Sequence, residues 1–70
     1  MQYMVVIEKG SNSFGAYVPD LPGCIAAAGT EKEVLHLIQE STEFHLEGLK
    51  NEGMPVPPSH SYSELVEVYA

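Results

Sequence analysis

Short apolar runs, one long amphipathic stretch and a closing apolar run follow one another along the 70 residues. Tyr3 to Lys9 is rich in β-branched and aromatic side chains and reads as a strand. Gly10-Ser11-Asn12-Ser13 is turn chemistry, and a second strand from Phe14 to Val18 would close a hairpin. Pro19 ends that strand, because it has no N–H for a ladder. After Leu21-Pro22-Gly23 comes a third short strand, Cys24 to Ala28, closed by Gly29.

The long stretch is a helix. Thr30-Glu31-Lys32-Glu33 has the form of a capping box, in which the Thr30 hydroxyl accepts from the Glu33 N–H and Glu33 reaches back to the Thr30 N–H. Glu31 and Glu33 suit the positive end of the helix dipole. Gly53 supplies a left-handed stop and Pro55 follows it, so the helix is expected to end at Asn51 or Glu52. At 3.6 residues per turn, Val34, Leu35, Ile38, Thr42, Leu46 and Leu49 form one stripe, with Ser41 and His45 within it or on its margin. Glu33, His36, Gln39, Glu40, Glu43, Glu47 and Lys50 fall opposite. One face packs on a sheet and the other meets water.

Leu37 and Phe44 do not fit that division. They lie one heptad apart on a flank beside the stripe, near the small residues Ser41 and Gly48. Either the stripe is wide and both are core, or they form a second, narrower surface for another subunit or a partner.

Met54-Pro55-Val56-Pro57-Pro58-Ser59 is an extended, polyproline-like connector. Leu65-Val66-Glu67-Val68-Tyr69 then reads as a final strand that returns to the sheet. The expected fold is a single α+β domain over residues 1–70, ordered β-β-β-α-β, with one long helix against one face of an antiparallel sheet.

A chain of this length buries only about 60% of the surface its unfolded form exposes. Such chains draw added stability from disulfides, a metal or association. Cys24 is the single cysteine, so no internal bridge can form, and a reducing cytoplasm is the default location. The amino terminus lacks a basic segment and a long apolar run, and no stretch approaches the roughly 20 apolar residues of a membrane span. The protein is expected to be soluble and to gain stability by homo-oligomerisation, as a dimer or tetramer, or with a partner.

Charge narrows the partner. Ten Asp and Glu stand against three Lys and no Arg, a formal charge of −7. Nucleic-acid affinity rests on Lys and Arg neutralising phosphates, so direct binding is not expected. A basic protein partner would be attracted, although acidity serves solubility as well.

Candidate chemistry is sparse. His36 and His45 are nine residues apart, on different helix faces, and neither has a His or Cys partner one turn away. With Cys24 unpaired, no zinc spacing is present. Cys24 as a nucleophile would need a base held beside it; a lone cysteine opening a short strand is more often a small buried hydrophobe. Glu8 and Asp20 would make a carboxylate pair only if the fold joined them, and Asp20 before Leu-Pro-Gly is more simply a turn-former. No phosphate loop, Ser-His-Asp signature or H-E-x-x-H occurs. Neither enzyme activity nor a cofactor is expected.

Phe14-Gly15-Ala16-Tyr17-Val18-Pro19-Asp20-Leu21-Pro22-Gly23-Cys24, the helix start Gly29-Thr30, Glu43-Phe44-His45-Leu46-Glu47-Gly48-Leu49 and Met54-Pro55-Val56-Pro57-Pro58 together resemble the amino-terminal domain of the HicB antitoxin family. The resemblance covers nearly the whole chain. It implies a partly degraded ribonuclease-H-type fold without the catalytic carboxylates. It also implies a protein that neutralises HicA, a small basic ribonuclease toxin with a catalytic histidine, by covering its active surface, and that forms dimers or tetramers. Many family members carry a carboxy-terminal DNA-binding domain. Here the sequence ends at Ala70, so autoregulation by direct DNA binding is not expected.

On that reading Pro19, Asp20, Leu21, Pro22, Gly23 and Cys24, together with Glu40, Glu43 and Glu47, are the expected toxin contacts. Leu37 and Phe44 are the expected oligomer or partner surface. The competing readings are a stand-alone oligomeric structural or regulatory module without a toxin, and a small enzyme retaining ribonuclease-H-like activity.

Overall fold

A computed structural model describes residues 1–69. Strands β1 (Val6–Lys9), β2 (Phe14–Tyr17) and β3 (Ile25–Ala28) precede helix α1 (Glu31–Asn51). The strands form an antiparallel sheet in the order β1-β2-β3. Register runs from Val6 opposite Tyr17 to Lys9 opposite Phe14, and from Phe14 opposite Ala28 to Tyr17 opposite Ile25. The α+β arrangement, with one helix on one face, is the expected one.

Each strand is shorter than its apolar run. Residues 3–5 lie before β1 and do not join the ladder, because β2 ends at Tyr17 and the chain then turns. Alternation still sorts the faces. Tyr3, Val5, Ile7, Phe14, Ala16, Ala26 and Ala28 face the helix, whereas Tyr17 and Ile25 are exposed on the other side.

The buried core is Ala16, Val18, Leu21, Cys24, Val34 and Ile38. Half of it comes from the segment between β2 and β3, so this loop is packed as tightly as the strands. Two turns in succession shape it. Leu21 N–H donates to Val18 C=O (3.1 Å), with Pro19 and Asp20 between them. Cys24 N–H donates to Leu21 C=O (3.1 Å) across Pro22 and Gly23, and Gly23 has φ +84°. Pro before a positive-φ Gly defines a type II turn. Val18 N–H donates to Cys24 C=O (3.2 Å) and closes the loop, which drops Leu21 into the centre with no exposed surface.

The helix follows its stripe. Val34 and Ile38 are fully buried, and Ser41, Thr42, His45, Leu46 and Leu49 are half-buried. Leu35 is the exception at 46% exposure, for a reason that lies in the sheet. The helix packs on β3 and β2 much more than on β1, so the flank carrying Leu35 overhangs an uncovered edge. At the amino end Thr30 accepts from Glu33 N–H (3.1 Å) as expected. The return arm differs: the Thr30 hydroxyl donates to the Glu33 carboxylate (3.2 Å). At the other end Met54 N–H reaches Leu49 C=O (2.8 Å) and Gly53 N–H reaches Lys50 C=O (3.1 Å). With Gly53 at φ +69°, this is a Schellman stop.

The fourth strand is not formed. Leu65–Tyr69 lies outside any ladder among the described residues, and Leu65, Val66, Val68 and Tyr69 are 78–99% exposed. β-branched sequence makes a segment suited to a sheet, but it does not decide which edge the segment meets. The tail instead runs outward: the Cα radius of gyration is 13.9 Å, against about 11 Å for a compact chain of this length.

Two stability measurements follow. Leu21→Ala should cost roughly 2–5 kcal/mol in denaturant unfolding, a large share of what so small a domain possesses. Thr30→Ala should cost about 1 kcal/mol. A Leu21→Ala protein as stable as the wild type would contradict the core described here.

Candidate partner-binding site

The loop gathers an acid, a thiol and two prolines, and the structure divides them by depth. Asp20, Leu21 and Cys24 are buried; Pro19, Pro22 and Gly23 face solvent. The buried members hold the shape that the exposed members present.

Asp20 has a role that reaches across the chain. Its Oδ2 accepts from the backbone N–H groups of His60 (3.1 Å) and Ser61 (3.0 Å). Its Oδ1 accepts from the Ser61 hydroxyl (2.6 Å) and faces His60 Nδ1 at 3.2 Å. The same Nδ1 lies 3.3 Å from Pro58 C=O, which places the ring proton on that nitrogen. Asp20 thus bonds backbone N–H groups, as a turn-former does, but 40 and 41 positions further on. Tyr3 adds a second anchor by donating its hydroxyl to Pro57 C=O. Strand side, loop and connector are tied at one point.

The electrostatics agree with the geometry. The Ser61 hydroxyl, and then its backbone N–H, stabilise the charged form of Asp20 and hold its carboxyl below the usual carboxylate range. Burial acts in the opposite direction, and the His60 N–H and imidazole add smaller contributions that lower it.

The Cys24 thiol sits at 3.4 Å from Thr42 Oγ1 and 3.7 Å from Ser41 Oγ, beneath the loop. Thr42 in turn donates to Ile38 C=O (2.7 Å). These contacts make the thiol part of the loop–helix packing. Glu8 lies exposed on β1 opposite Gly15, while Asp20 is engaged with the tail, so the two do not act as a pair. Among the described residues, no three His, Cys, Asp or Glu side chains converge to hold a metal.

Glu40, Glu43 and Glu47 are exposed along the outer helix face, where His36 Nε2 meets Glu40 Oε1 at 2.9 Å. Leu37 is 42% exposed and Phe44 80%. Both therefore lie outside the core. Phe44, His45, Gly48 and Leu49 line a cleft whose other wall is Gly23 and Cys24. The fold thus joins the loop tip and the Phe44 flank, which lie 20 positions apart, into one surface. His60 and Ser61 were not legible as parts of this region: Ser-His-Ser after a proline run reads only as a connector.

A family model described as HicB_like antitoxin of bacterial toxin-antitoxin system matches residues 3–69. The chain belongs to the HicB-like antitoxin family. It is 34% identical over 71 residues to a UPF0150 protein of Thermoplasma acidophilum, covering the full length of both. It is 32% identical over 66 residues to a 14.9 kDa protein of the rep-hol intergenic region of Haemophilus phage HP1. That match covers 94% of this chain and 50% of the phage protein, so the chain spans half the length of that relative. Among solved structures it superimposes on a chain of the HicA3 and HicB3 toxin-antitoxin complex with a TM-score of 0.66 and 34% identity. The superposition covers 83% of this chain and 72% of that one.

An asparagine at position 20 separates this clamp from a simple polar contact. Both carboxylate oxygens accept, whereas an amide turns a donor toward one of the two donor sets. Asp20→Asn should release the connector, read as faster proteolytic cutting after Pro58 with the helical signal retained. The pH dependence has a fixed sign. A carboxyl held low in the fold stabilises it above the unfolded value of about 3.9, and that contribution is lost as pH falls through the folded-state value. Thermal melts of the wild type should therefore lose stability below about pH 4 by a component that Asp20→Asn lacks. Equal acid sensitivity in both proteins would contradict the clamp.

Proposed function

We propose that this chain binds and neutralises a small basic ribonuclease toxin of the HicA type. The observation that carries the reading is the 34%-identical match to a chain of a HicA3 and HicB3 toxin-antitoxin complex. Charge supports it: a protein of formal charge −7 favours encounter with a basic, RNA-binding partner and sets selectivity more than final affinity.

In this reading the contact surface is the exposed part of the loop and of the helix. Pro19, Pro22 and Gly23 form a stiff rim, because two prolines and a type II turn leave it little freedom to lose on binding. Phe44 stands beside that rim as an apolar anchor, with Leu37 one heptad away. Glu40, Glu43 and Glu47 contribute the field that draws in a cationic surface. Asp20, Leu21 and Cys24 act from beneath by holding the rim in place. The chain supplies shape and charge, and the chemistry it controls belongs to the toxin.

The test is co-expression with the basic protein of about 60–80 residues encoded beside this chain's gene. Relief of that protein's toxicity and co-purification of the pair are expected. Phe44→Ala should weaken the complex by tenfold or more, as loss of an aromatic anchor does. Glu40→Lys, Glu43→Lys and Glu47→Lys together should slow association by about tenfold at low salt and flatten its salt dependence. A neighbour whose toxicity is unchanged by this chain would favour the stand-alone oligomeric module instead.

A further inference from the structure

The tail and the sheet each lack what the other offers. Leu65, Val66, Val68 and Tyr69 are exposed by 99%, 82%, 78% and 90%, a density of bare apolar side chains that a soluble monomer rarely carries. The strand order β1-β2-β3 leaves the outer edge of β1 without a neighbouring strand. The helix covers β2 and β3, so a mostly apolar groove stays open beside the segment that leads into β1, lined by Met1, Tyr3, Val5, Leu35 and Leu46 around buried Ile38, with Gln39, Thr42 and Glu43 on its helix side. A strand laid along β1 would fill it.

We propose that Leu65–Tyr69 is an exchanged strand, which adds to the free β1 edge of a second copy of this chain and receives that copy's tail in return. This goes beyond toxin binding and does not depend on it.

The root of the tail explains the exchange. Asp20 fixes His60 and Ser61, and Tyr3 fixes Pro57, so the tail departs at the amino-terminal end of β1. Residues 59–63 then pass beside Gln2, Tyr3 and Met4. From that pinned point the last described residues stay exposed and outside any ladder, in a molecule whose longest extent is 49 Å. Tyr62–Glu64 is the hinge. Five extended residues span about 17 Å, enough to pair along all of Val6–Lys9.

Alternation matches the slot. Val66 and Val68 share one face and would enter the groove beside Val5 and Ile7, while Glu67 stays on the open face. Pairing covers Val66 and Val68 on each copy together with the backbone of both edges, while Leu65 and Tyr69 share the open face with Glu67. Exchange also protects two sheet edges that are otherwise free to pair at random. A two-fold operation closes the assembly, because each copy both gives and receives the same strand.

The experiment uses the full chain with Cys24→Ser as background. Light scattering at micromolar concentration should give a dimer, and Val66→Asp with Val68→Asp should give a monomer that keeps its helical circular dichroism. A Glu8→Cys chain mixed with a Glu67→Cys chain, both outer-face exposed positions, should yield a covalent heterodimer with a short bismaleimide. The chain carrying both substitutions should cross-link at dimer mass. A monomeric wild type, a dimer indifferent to the two aspartates, or a cross-link confined to monomer mass would each overturn the proposal. The last result would place the tail on its own β1 edge.

Discussion

A carboxylate closed off from solvent must find donors, and Asp20 finds them 40 residues away. Two backbone N–H groups, a hydroxyl and an imidazole N–H surround its two oxygens, so its buried charge is met on every side. Much else depends on that demand. It fixes where the chain returns after the helix, ties the β2–β3 loop to the connector, and sets the point from which the tail leaves. The loop's apolar residues depend on it in turn, since Leu21 and Cys24 flank the same two turns and fill the space beneath them.

Local chemistry made most of the fold legible. Thr30 and Gly53 marked the helix ends, and the 3.6-residue stripe named the side chains that the sheet covers. The strands were placed within a few residues, because β-branched runs between Gly- and Ser-rich turns have few other uses. Leu65–Tyr69 forms no strand within the chain, because propensity marks a segment as suited to pairing and does not decide which edge it meets. Leu37 and Phe44 were left between core and surface by periodicity alone. The decision came from the helix's position over β2 and β3, which no local pattern carries.

The site was legible in composition and not in depth. Pro19–Cys24 was identifiable as a special segment, yet nothing local told Leu21 and Cys24, which turn inward, from Pro22 and Gly23, which turn outward. Two overlapping turns decide that division. The contacts of Asp20 were equally hidden, because His60 and Ser61 meet it only through the long-range return of the chain. Family membership then sets this rigid, acidic surface within an antitoxin family.

Amide hydrogen exchange at His60 and Ser61 tests the central interaction most directly, since both N–H groups point at one oxygen of Asp20. These two amides belong to no helix or ladder, so any protection they have comes from that carboxylate. Both should be clearly protected in the wild-type chain at neutral pH, and should lose that protection in Asp20→Ala while α1 stays protected. Free exchange of both amides in the wild type would contradict this role of Asp20.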